Sequence, residues 1–279
     1  MDMATSGDDL RARIGALRWY HTIDLGNGLV TPGWFDTRPT VAKVPMPASL
    51  EGKRCLDVGT WDGFWAFEME KRGADSVTAI DVQDQDRWDW PPIMRMRPRN
   101  TGREVVAAFK EEGAAFNLAH EILQSKVKRL DQSVYDLSPE QNGTFDFVFL
   151  GSLLLHLRDP VAALAALRTV CSAEAVIADT IDLWPSLTRP RTPTARLDGV
   201  ERPWWWIPNR AGFHQMLRSA GFEILDTTPI YLLPRGSAHP RSPWRAVPKM
   251  LRTAAGRENL VVAAHGIPHA AARVRPAQV

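Results

Sequence analysis

Residues 54–81 read RCLDVGTWDGFWAFEMEKRGADSVTAID, and this stretch decides the fold. Cys55–Val58 is a short apolar strand, and Gly59–Gly63 supplies a tight turn. Phe64–Lys71 carries helical spacing, with Phe64, Phe67 and Met69 on apolar faces. The pattern assigns Asp62 as N-cap, because its carboxylate can accept from the orphan N–H groups of the first turn. Gly73 ends the helix. Ser76–Ile80 is a second strand and leads onto Asp81, about twenty residues past the glycine turn. The unit is βαβ with an acid at the tip of its second strand.

Such a unit suits a nucleoside. The glycines admit a ligand to the backbone, and the terminal acid accepts from ribose hydroxyls. A dinucleotide asks for G-x-G-x-x-G, whereas this turn reads D-x-G-x-x-x-G. Asp62 would repel a pyrophosphate. S-adenosylmethionine has no phosphate, and its sulfonium and ammonium groups favour acids such as Asp57 and Asp62. The residues place this cofactor ahead of NAD.

Asp57-Val58-Gly59-Thr60-Trp61-Asp62-Gly63 resembles the first motif of the class I S-adenosylmethionine-dependent methyltransferases, with Trp61 where the commonest version has its central glycine. That form is similar to the relatives of the bacterial tRNA wobble-uridine (carboxy)methyltransferase (mo5U34/cmo5U34). Other stretches fit the same subgroup: Trp19-Tyr20-His21 followed by Thr31-Pro32-Gly33, Ser133 to Leu137, Phe145 to Pro160, and Trp206-Ile207-Pro208-Asn209 before a helix ending at Gly221-Phe222. The resemblance implies an α/β, Rossmann-like methyltransferase fold. Its seven-stranded, mostly parallel sheet has helices on both faces and an antiparallel C-terminal strand. It also implies a cofactor site built from Asp57, Gly59, Thr60, Trp61, Gly63, Asp81, Val82, Ser133, Val134, Tyr135 and Gly151. Two departures weaken the likeness to the carboxymethyl enzyme. Leu155 stands where that enzyme has a tyrosine before the loop histidine, and the aromatic run begins without a long basic N-terminal region.

At 279 residues, with 44% apolar composition, the chain has the size of one large globular domain. Residues 1–50 read as a cap over the cofactor pocket. Residues 51–265 read as the methyltransferase domain, with a lid at 184–206, a basic insertion at 234–257 and a last strand at Glu258–Ala264. Residues 266–279, rich in Ala, Pro and Arg, read as a flexible tail. No apolar run reaches the roughly eighteen residues of a membrane span. Met1–Asp9 has no signal-peptide pattern. Cys55 and Cys171 read as buried thiols of a cytoplasmic protein. A net charge of +2 does not by itself imply nucleic acid. The basic stretch from Arg235 to Arg257 suits RNA, a lipid surface or a phosphorylated ligand, or is a solvated connector. Nothing in the sequence sets the oligomeric state.

The reacting groups are read from position. Tyr20 and His21 either line the pocket beneath the cap or form a packing strip. His156 follows the strand Phe145–Leu150, where ligands of open α/β sheets sit. It is either a general base or a residue that orders the loop. Asp179 ends the strand Ala175–Asp179 and, with Trp204 and Trp205, is a candidate substrate contact. No group of residues has metal-ligand spacing, and methyl transfer by in-line displacement requires no metal. The favoured reading is methyl transfer from S-adenosylmethionine, with S-adenosylhomocysteine as product. The acceptor is an oxygen, nitrogen or carbon atom of a small molecule, for instance one from secondary metabolism. The alternatives are methylation of a tRNA wobble uridine and a non-catalytic cofactor-binding or partner protein.

Overall fold

The computed structural model describes residues 7–96, 113–200, 204–239 and 265–278. Segment 54–81 folds as read: strand β3 (Arg54–Val58), helix Phe64–Lys71 and strand β4 (Ser76–Asp81). The chain continues into β5 (Lys128–Asp131), β6 (Phe145–Gly151) and β7 (Cys171–Thr180). Strands β3 to β7 run parallel, β3 lying between β4 and β6. The chain steps outward from β3 to β4 to β5, then returns across β3 to β6. That reversal opens a crevice at the carboxyl ends of β3 and β6, the usual ligand position of such sheets.

β10 (Phe222–Thr227), β11 (Tyr231–Leu233) and β12 (Ile267–Pro276) complete an eight-stranded sheet, in the order β10-β12-β7-β6-β3-β4-β5 with β11 also on β12. The central parallel strands β3, β6 and β7 are largely buried because helices cover both faces of the sheet, whereas the edge strand β5 is half-exposed. Helices Phe64–Lys71 and Ala114–Leu123 join one core cluster with Phe147 and Phe149. Helices Pro160–Val170 and Arg210–Ser219 join the other with Leu56, Val148 and Ile177.

Several sequence expectations need correction. Residues 266–279 are no flexible tail: Ile267–Pro276 lies between β7 and β10, hydrogen-bonded to both, with Ala270, Ala271 and Ala272 buried. The expected last strand at Glu258–Ala264 and the basic insertion from residue 240 onward lie outside the described residues. The segment expected to be an irregular lid holds a short helix, Leu183–Thr188, and β8 (Ala195–Leu197), antiparallel to β9 (Trp206–Pro208). Asn209 ties this hairpin to the next helix. Its Oδ1 accepts from Gly212 N–H at 2.8 Å and Thr194 N–H at 3.0 Å.

The N-terminal segment forms helix Gly7–Ala16 and two short parallel strands, β1 (Trp19–His21) and β2 (Gly33–Phe35). Asp62 is not the helix N-cap. Gly63 occupies that position with φ 92°, a conformation that favours glycine. A Cβ there would sit 2.5 Å from the Phe67 ring. Asp62 is thereby released to bind β1.

Removing residues 266–279 is expected to abolish cooperative thermal unfolding followed by circular dichroism, because β7 and β10 lose their shared partner. A truncated protein that melts at the wild-type temperature would restore the flexible-tail reading.

Candidate active site

A cavity of about 310 Å³ opens at the carboxyl ends of β3, β4, β6 and β7, within the size range of small-molecule sites. Val58, Gly59, Ile80, Asp81, Gly151 and Ala178 form its base. The cap contributes Tyr20, His21, Thr37 and Thr40. The loop after β4 contributes Trp88 and Trp90, whose rings stack with centroids 5.4 Å apart.

Asp62 joins the cap to this base. Its side chain is 0% exposed. Oδ2 accepts from the backbone N–H groups of Tyr20 and His21, each at 2.8 Å, and Oδ1 meets His21 Nδ1. The His21 ring stacks on Phe64. Tyr20 packs between Trp61 and Phe35, with centroids 4.9 and 5.1 Å away. Burial raises the Tyr20 hydroxyl pKa.

The glycine turn brings two acids to the cavity. Asp57 is 2% exposed and its Oδ2 has no hydrogen-bond partner among the described residues. Burial pushes its carboxyl up to about 7. Asp81 lines the cavity from the end of β4, and its Oδ2 accepts from Trp61 N–H at 2.8 Å. Trp61 holds φ 52°, the left-handed backbone that a glycine adopts freely. The Asp81 bond and aromatic contacts to Tyr20 and Trp88 accompany that conformation.

Ser133, Val134 and Tyr135 all line the cavity, in a single 3₁₀ turn capped by Ser133 Oγ. Tyr135 Oη donates to Asp89 Oδ2 at 2.7 Å and accepts from Asp159 N–H at 3.1 Å. Asp89 Oδ2 also accepts from Arg158 N–H at 2.8 Å. These bonds latch the loop after β4 to the loop after β6.

Of the residues expected in the site, Tyr20, His21, Asp57, Gly59, Trp61, Asp81, Val82, Ser133, Val134, Tyr135, Gly151 and His156 line the cavity. Thr60 and Gly63 are not among its lining residues; they shape the turn. Asp179, the expected substrate contact, is not among the cavity's lining residues. It is buried beneath the exit loop of β6, accepting from Leu154 N–H and Thr180 N–H, each at 2.7 Å, and burial pushes its carboxyl up to about 7. Trp204 and Trp205 do not line the cavity either. Trp205 fastens the chain to that same loop, its backbone N–H donating to Leu155 O at 2.7 Å and its indole to Asp89 O. Sequence reasoning missed Ser152, Tyr231 and His269 as lining residues. Ser152 directly follows the glycine that ends β6, a position that could have flagged it. His269 had no local signal, because its stretch reads as tail.

Fold and site define a Rossmann-like methyltransferase architecture. The chain belongs to the methyltransferase-domain family, whose match spans residues 36–227. Among curated relatives, a tRNA U34 carboxymethyltransferase of Pseudomonas fluorescens (strain Pf0-1) is 26% identical over 182 residues, covering 65% of this chain and 49% of the relative. One from Stutzerimonas stutzeri (strain A1501) is 27% identical over 183 residues, covering 65% and 48%. The chain thus spans about half the length of the curated relatives it matches. Among solved structures, the [4+2]-cyclase SpnF is 19% identical with a TM-score of 0.49, covering 97% of this chain and 92% of that one. The 1,6-didemethyltoxoflavin-N1-methyltransferase of Burkholderia thailandensis is 14% identical with a TM-score of 0.48, covering 82% and 72%.

Replacing Asp62 with Ala orphans two backbone donors, each worth on the order of 1–3 kcal/mol when buried. Denaturant unfolding should show a lowered midpoint with an unchanged slope. An unchanged midpoint would mean that the Asp62 contacts do not hold the cap.

Proposed function

We propose that this cavity takes S-adenosylmethionine and that the chain transfers its methyl group to an oxygen, nitrogen or carbon atom of a small organic acceptor. The observation that carries the reading is the pairing of two buried acids across one glycine turn. The Asp57 carboxyl oxygen without a partner suits the ammonium of the methionine end, and Asp81 suits the ribose hydroxyls. Val134 offers an apolar face for adenine beside the polar Ser133. Asp57 and Asp81, near the ends of β3 and β4, give the cavity carboxyl groups, which match a cationic ligand better than a pyrophosphate.

When bound, S-adenosylmethionine supplies an electrophilic methyl carbon and a neutral thioether leaving group. The protein's own contribution is positional. Asp57 and Asp81 fix the two ends of the cofactor, and the cap residues Tyr20, His21, Thr37 and Thr40 roof the cavity. A covered site excludes water and keeps the reacting atoms in line. Tyr20, His21 and His156 line the same space and are candidates to take the acceptor's proton.

The relatives named tRNA U34 carboxymethyltransferase favour a second reading, methylation of a wobble uridine. Two observations favour the small acceptor instead. The cavity is roofed by the cap and walled by aromatic rings. Leu155, at the position where the resembled enzyme has its tyrosine, is buried and is not among the cavity's lining residues.

Calorimetry with S-adenosylhomocysteine, and separately with bulk tRNA, distinguishes the readings. Adenosyl binding without salt-sensitive tRNA binding is the expected result. Asp81→Ala should weaken adenosyl binding roughly 10- to 100-fold, the range for hydrogen bonds to a charged group. Unchanged affinity would remove Asp81 from the ribose.

The raised Asp57 pKa has a further consequence. Below about 7 the carboxyl of the free protein is protonated, and an ammonium ligand must displace that proton. S-adenosylhomocysteine affinity should therefore rise with pH up to about 7 and then level, with proton release measurable by calorimetry in buffers of different ionisation enthalpy. Asp57→Asn should bind more weakly and lose this pH dependence. A pH profile identical in both proteins would place the ammonium elsewhere.

A further inference from the structure

Beyond the cofactor groups, the cavity contains a hydrogen-bonded set that the family match does not assign. His269 lies on β12, in register with Thr180 on β7 and with Tyr231 on β11. Its Nδ1 is 3.0 Å from Ile267 O. A carbonyl only accepts, so Nδ1 carries the hydrogen and Nε2 is the bare acceptor nitrogen. Nε2 is 3.0 Å from Ser152 Oγ and 3.4 Å from Thr180 Oγ1. Ser152 holds φ 51°, an uncommon backbone for a non-glycine residue, in the loop that leaves β6. Tyr20, Ser152, Tyr231 and His269 all line the cavity.

We infer that Ser152 and His269 take the proton of an aromatic hydroxyl acceptor, so that the methylated atom is a phenolic oxygen. This rests on the S-adenosylmethionine reading. Three features carry it. The relay ends on a neutral imidazole nitrogen that faces a hydroxyl donor. None of the lining residues contributed by β1, β7, β11 and β12 is Lys or Arg, so an anionic acceptor has no counter-charge there. The surrounding walls are aromatic, with Trp65 stacked on Phe149 at 4.2 Å and Tyr20 and Tyr231 alongside.

The step balances. The acceptor oxygen forms a bond to the methyl carbon while the carbon–sulfur bond breaks and its electron pair stays on sulfur. The acceptor proton passes to Ser152 Oγ as the serine proton passes to His269 Nε2. The sulfonium charge disappears and an imidazolium charge appears, so the net charge of the cavity is unchanged. Burial lowers the His269 pKa to about 4, so the ring is neutral before reaction; the same burial opposes the imidazolium, which forms only as the sulfonium charge is lost. The titratable neighbours on the packed elements are Asp179 on β7, Tyr231 on β11 and Tyr20 on β1. Asp179 is held by Leu154 and Thr180 N–H groups.

The test uses 4-nitrophenol, whose ionised form has a visible absorption band, added to full-length protein already saturated with S-adenosylhomocysteine. At a pH below the probe's own pKa, the bound probe should be roughly tenfold more ionised on the wild type than on His269→Gln, the factor of one pKa unit. Both proteins should bind S-adenosylhomocysteine with equal affinity. Ser152→Ala should lose the band in the same way, and it serves alone if His269→Gln does not fold. A probe that binds un-ionised, that ionises equally on wild type and variants, or that fails to bind protein loaded with S-adenosylhomocysteine would overturn the inference. Absence of S-adenosylhomocysteine binding before the probe is added would instead show that the cofactor reading had failed.

Discussion

The buried carboxylate of Asp62 is the constraint on which the site depends. A carboxylate with no solvent exposure is stable only if its oxygens are paired, and Asp62 is paired by the N–H groups of Tyr20 and His21 and by the His21 ring. The contact joins segments more than forty residues apart into one wall. It sets Tyr20 against Trp61 and so determines what roofs the glycine turn. A two-stranded ribbon such as β1 and β2 is marginal by itself; Asp62 fixes β1, while β2 is bonded to residues 234–238. The acid of the glycine turn therefore builds the cover over the cavity and does not itself line it.

The other buried acids divide by partner. Asp57 and Asp81 face the cavity, whereas Asp179 is consumed by backbone N–H groups that shape the loop carrying His156. Burial has nearly the same effect on the Asp57 and Asp179 carboxyls, bringing each to about 7, so a shifted pKa does not by itself separate ligand contacts from scaffold. Access does. Asp57 lines the cavity and has a buried oxygen without a partner, whereas Asp179 does not line it.

Much of this was legible in residues 54–81 because strand, turn, helix and strand there are local patterns, and the ends of β3 and β4 fix the position of Asp57 and Asp81. The role of Asp62 was not, since a residue before a helix reads as its cap and nothing local reveals that Gly63 takes that position while β1 arrives from outside. β12 was illegible for a similar reason. Ala270, Ala271 and Ala272 have no strand preference of their own. They form a strand because β7 and β10 present open edges on either side. His269 depends on that pairing, so no motif could have announced it. Trp204 and Trp205 were read as a substrate wall from their aromaticity, but the backbone N–H and indole of Trp205 are used to tie loops together.

The account is tested most directly by a crystal structure of the protein with S-adenosylhomocysteine. It predicts the ribose hydroxyls on Asp81, the ammonium on the unpartnered oxygen of Asp57, adenine against Val134, and the sulfur facing the space between Tyr20 and Ser152. Density for the nucleoside anywhere other than this cavity, or in it with Asp57 and Asp81 both untouched, would contradict the account.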